Sequence, residues 1–61
     1  MKIIRMSNFG NENVSDGLIA EKVQDHYVDF IVEVLNEKYS GYKSPDFFRA
    51  VEDDYELYIK P

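Results

Sequence analysis

The chain has no cysteine and no tryptophan, a single histidine, and only two prolines and three glycines among its 61 residues. Without cysteine there is no disulfide to staple a small fold, and no thiolate set for zinc or an iron–sulfur cluster. With His26 as the only histidine, a His-rich metal site is excluded too, and no cofactor is expected. Cations are scarce: seven Lys and Arg stand against twelve Asp and Glu, a net charge of -5. Nucleic-acid binders gain much of their affinity from cations that displace phosphate counterions, so direct DNA or RNA binding is not expected. No apolar run approaches the roughly 20 residues of a membrane span. The opening MKIIRMSNFGN carries no apolar signal core, so the expected compartment is the cytoplasm.

A chain of this size is one domain, residues 1–61, and a single small core leaves it marginally stable. With disulfides and metal excluded, oligomerisation is the compensation left open, and a homodimer is a real expectation. The acidic balance suits a basic partner surface or simply solubility.

What the sequence does have is one strongly periodic stretch, Asp25 to Tyr39, DHYVDFIVEVLNEKY. At about 100° per residue, Tyr27, Val28, Ile31, Val34 and Leu35 share one side, and Asp29, Glu33, Asn36 and Glu37 the other. Asp25 is a suitable N-cap, and Ser40-Gly41 a suitable exit. With Phe30 at one edge and Val32 and Tyr39 at the other, the apolar arc spans roughly 200°, wider than the stripe one core needs. Phe30, Val32 and Tyr39 are therefore candidates for self-association.

Around this helix the chain reads as strands. Lys2 to Asn8 alternates, Phe9 to Asn13 is a turn, and Val14 to Val23 fits a second strand better than a helix because a hairpin-type turn precedes it. Gly17 is then the expected bulge. Phe47 to Val51 is a short aromatic strand, followed by the acidic bend Glu52-Asp53-Asp54 and an extended tail, Tyr55 to Ile59. The expected fold is α+β, ββαβ: a three-stranded antiparallel sheet in order 2-1-3 with the helix on one face and the other face open.

No catalytic constellation is present. His26 has no nucleophile beside it, and there is no P-loop, dinucleotide fingerprint or EF-hand spacing. A non-enzyme is expected. The chemistry-bearing cluster is the acidic-aromatic hook of Glu52, Asp53, Asp54, Tyr55 and Tyr58. Its carboxylates suit a basic site, and tyrosines favour interface cores. The plain alternative is a solvated turn that discourages edge-to-edge pairing.

The N-rich turn, VSDGLIAEKV, a helix ending LNEKYSG and then SPDFFRAVEDDYELY together resemble small acidic phage-encoded proteins, with AVEDDYELY (Ala50 to Tyr58) similar to a recurring strand-and-bend ending. The resemblance implies a host-takeover setting, an early protein that binds and inhibits or redirects a host protein in the host cytoplasm. It carries over no functional residue. The expected function is thus a non-enzymatic interaction module. The alternatives are an acidic nucleic-acid mimic blocking a DNA- or RNA-binding protein, and an accessory or antitoxin-like subunit.

Overall fold

The computed structural model describes residues 1–7, 14–40 and 46–60. The expected turn at Phe9–Asn13 and the Gly41 and Pro45 signals lie outside them. The elements are β1 (Lys2–Ser7), β2 (Gly17–Ala20), α1 (Asp25–Tyr39) and β3 (Asp46–Val51). They form an antiparallel sheet in order β2-β1-β3. The ββαβ topology and strand order are those expected from the alternating segments, because a hairpin followed by a helical crossover returns the third strand beside the first.

Two boundaries differ from expectation. The second strand is shorter than Val14–Val23. At its start Asp16 gives its backbone N–H to Tyr58 rather than to the ladder, and at its end Lys22 takes a left-handed conformation, φ 58°. The bulge is not at Gly17, which pairs in register with Arg5; it falls at Ile19, between the pairs Ile3–Ala20 and Ile4–Leu18. Gly17 serves a different need. A Cβ there would come within 3.0 Å of Arg5 Nη2 and 3.1 Å of its Cζ, so glycine makes room for the guanidinium over the strand. The Nε of Arg5 is buried there without a hydrogen-bond partner.

Ile3 and Ile4 are both fully buried. Successive strand residues point to opposite faces, so both faces of the sheet are covered, and the expected open face is not found. On the Ile3 side, Phe48 pairs across from Arg5 and packs under α1, its ring edge-on to Tyr39 at 6.4 Å between centroids. On the Ile4 side lies the chain after β3. It turns at Glu52–Tyr55, where the Tyr55 N–H donates to the Glu52 carbonyl, and runs from the β3 edge to Asp16 beside the β2 edge. The Asp16 side chain lies on the Ile4 face, because neighbouring Gly17 shares the other face with Arg5. The tail is therefore a third layer, over Ile4 and Val51, which are both buried.

The helix is held by Asn36. Its amide donates to the Phe48 carbonyl at 2.9 Å, and its Oδ1 accepts the Phe48 N–H at 2.7 Å. β3 is an edge strand, and these are backbone groups that β1 does not pair, so one side chain closes the edge at that residue. Asn36 thus faces inward with Val28, Ile31, Val32 and Leu35, instead of lying on the solvent side with Glu33 and Glu37. Relative to the sequence expectation the helix is turned by roughly 70° about its axis. Asp25 is not the N-cap. Gln24 holds that position without a side-chain bond, and Asp25 sits in the first turn, where its charge still favours the helix dipole.

Asn36→Ala leaves the Phe48 N–H and carbonyl unpaired in a part-buried setting. The expected loss is about 1–3 kcal/mol, read as a lower urea midpoint with an unchanged slope. An unshifted midpoint would show that water replaces the amide at no cost.

Candidate functional site

The hook residues divide into two sets. Glu52, Asp53 and Asp54 are brought together at the turn after β3 and all three are exposed. Asp53 Oδ1 lies 3.1 Å from the Met1 amine, which also donates to the Val23 carbonyl at 2.7 Å. With Asp53 76% exposed, that ion pair adds little stability. These carboxylates project to solvent, as a charged docking site or a solvated turn would place them.

The tyrosines of the hook are committed to the fold. Tyr55 donates its hydroxyl to Asp16 Oδ2 at 2.8 Å, and the Tyr58 backbone N–H donates to the same oxygen at 2.8 Å. The Asp16 N–H returns a bond to the Tyr58 carbonyl at 2.8 Å, and Lys60 N–H donates to the Ser15 hydroxyl. Asp16 is the only buried polar or charged residue among those described. This role has no signal in the sequence, where an Asp before Gly reads as a turn or cap residue. Only the Tyr58 ring keeps substantial exposure.

The self-association set also divides. Val32 is half-buried on the inward side of α1, and Tyr39, although exposed, lies against Phe48. Phe30 is on the far side of the helix, 68% exposed, and is joined there by Tyr27 at 53% and Val34 at 42%. These three succeed one another at i, i+3 and i+7, a ridge on one helix edge. Tyr27 and Val34, expected in the core, are displaced from it by the inward turn of Asn36. His26 is exposed at the start of the ridge, its ring edge-on to Tyr27 at 4.9 Å.

A row of like charge winds around the helix and comes beside the ridge only at its end, where Glu33 and Glu37 lie about 60° and 20° from Phe30. Asp25, Asp29, Glu33 and Glu37 follow at intervals of four and all are exposed. Like charges at i,i+4 each cost a helix about 0.2–0.5 kcal/mol, so the row works against the helix that carries it. Lys38 is the one cation on α1. Among the described residues, no group of three or more His, Cys, Asp or Glu is placed to hold a metal ion. No helix among them is long and apolar enough to cross a membrane.

The Tyr55 hydroxyl is raised above the ordinary tyrosine range, first by its hydrogen bond to Asp16, then by burial and the Asp16 charge, with Arg49 opposing. Its folded value exceeds its unfolded one. The stability it contributes is therefore fully present below the unfolded value of about 10 and is lost as pH rises through the higher folded value. A tyrosinate absorbance titration should show a late-titrating phenol from Tyr55. Tyr55→Phe should remove it and lower stability by about 1 kcal/mol; a late phenol that survives the substitution would belong to another residue.

No protein family matches the chain, and no curated protein or solved structure shows detectable similarity to it.

Proposed function

We propose that the chain is a non-enzymatic interaction module that acts by occupying a surface of another protein. The observation that carries this reading is its exposed apolar surface. Among the described residues, eight large apolar side chains are at least 41% exposed, and three of them form the helix ridge. Scattered exposed apolar residues are ordinary, but a contiguous ridge on a small domain is the mark of a contact surface.

The three exposed carboxylates after β3 give a second, charged contact of the kind that steers a basic partner. With the Tyr55 hydroxyl and the Tyr58 backbone tied to Asp16, the hook acts through Glu52, Asp53 and Asp54. The setting of a phage protein that inhibits or redirects a host protein comes from the resemblance of the sequence alone. A self-complementary role for Phe30, Val32 and Tyr39 has less support, since these three do not share a surface.

The test is affinity capture from a bacterial lysate by the immobilised chain, with the retained protein identified by mass spectrometry and re-tested in pure form. One stoichiometric partner is expected. The double variant Asp53→Lys with Asp54→Lys should weaken its capture while leaving the thermal melt unchanged, because neither side chain is buried. Failure to retain any protein would sink the reading, and undiminished capture by the double variant would remove the carboxylates from it.

A further inference from the structure

Resting on the interaction-module reading, we propose that the Tyr27-Phe30-Val34 ridge is a docking element that fills an apolar cleft rimmed by lysine or arginine on its partner. The spacing i, i+3, i+7 is that of a helix laid in a groove, where successive anchors fall on one line. Each anchor is 42–68% exposed, so the ridge presents side chains rather than backbone. Two of the three are aromatic, and aromatic anchors carry large contact area at little entropic cost.

The charge beside the ridge selects the occupant. Glu33 and Glu37 lie within roughly 60° of Phe30 around the helix, while Asp25 and Asp29, which begin their row, lie about 100° or more from it, on the side away from the ridge. A partner with cations on its rim satisfies Glu33 and Glu37 and relieves their mutual repulsion. A second copy of this chain does the opposite. Antiparallel packing about the ridge brings the Glu33 and Glu37 side of one helix against the same side of the other, with Lys38 as the one cation on each. The net charge of -5 adds to that repulsion.

Two synthetic helical peptides test this, identical in a leucine face and differing only in flanking lysines or glutamates. The isotope-labelled full chain is titrated with each and followed by amide NMR. The lysine peptide should shift the signals of Tyr27, Phe30, Val34 and their neighbours, and the glutamate peptide should not. Phe30→Ala, a change at an exposed side chain, should weaken the lysine peptide about tenfold with the rest of the spectrum intact. Glu33→Lys with Glu37→Lys should transfer the preference to the glutamate peptide.

Equal binding of both peptides, binding of neither, or shifts confined to another face would overturn the proposal. So would a dimer in sedimentation equilibrium that Phe30→Ala dissociates, since a second copy would then cover the ridge. A captured protein that binds Phe30→Ala undiminished leaves the interaction-module reading standing while this proposal falls. An empty capture removes that reading whatever the peptides do.

Discussion

One carboxylate oxygen decides how many layers this protein has. Asp16 Oδ2 receives both the Tyr55 hydroxyl and the Tyr58 N–H, and these bonds hold the chain after β3 across the Ile4 face. Ordering that segment costs roughly 1–2 kcal/mol per residue, more than two hydrogen bonds to a charged acceptor return. Apolar contact over Ile4 and Val51 must supply the balance. Asp16 therefore contributes position more than energy: it fixes where the tail crosses, and the buried apolar area makes the crossing stable. A chain without disulfides gains a second buried layer this way, which a sheet and one helix alone would lack.

The helix is positioned by an analogous device. Asn36 spends its amide on the Phe48 backbone, and α1 must turn to present it. The hydrophobic pattern alone would bury Tyr27 and Val34, since both lie within the apolar arc. A hydrogen-bonded pair of part-buried backbone groups outweighs that pattern, because leaving both unsatisfied costs about 1–3 kcal/mol while a partly exposed Val or Tyr loses only part of its burial. The exposed ridge is the consequence. It exists because a polar side chain took the inward position.

This explains which features the sequence disclosed. Strand alternation, the long periodic helix and the hairpin-then-crossover order are local signals, and they disclosed the element order, the strand order and the span of the helix, though not the bounds of β2. Asp16 and Asn36 act across 42 and 12 residues of sequence, through geometry that no spacing rule reports. The surplus width of the apolar arc was legible and did mark surplus surface, but which residues it would leave outside depended on Asn36. The hook was legible as an acidic turn; that Tyr55 would turn its hydroxyl inward was not, because the partner is 39 residues away.

The acidic row on α1 was open to view in the sequence, and its meaning depends on the ridge beside it. A row of like charges on a helix face that contacts nothing would be a weak liability, easily relieved by exchanging one Glu for Lys. Where the row reaches the ridge, at Glu33 and Glu37, the proposed docking role gives it a use: like charge there opposes pairing with a second copy and favours a cationic surface. Repulsion of this kind contributes specificity by penalising the wrong occupant. The helix accepts a small loss of stability along Asp25, Asp29, Glu33 and Glu37, and the hydrogen bonds of Asp16 and Asn36 lie outside the ridge, so its exposed side chains are not spent on holding the fold.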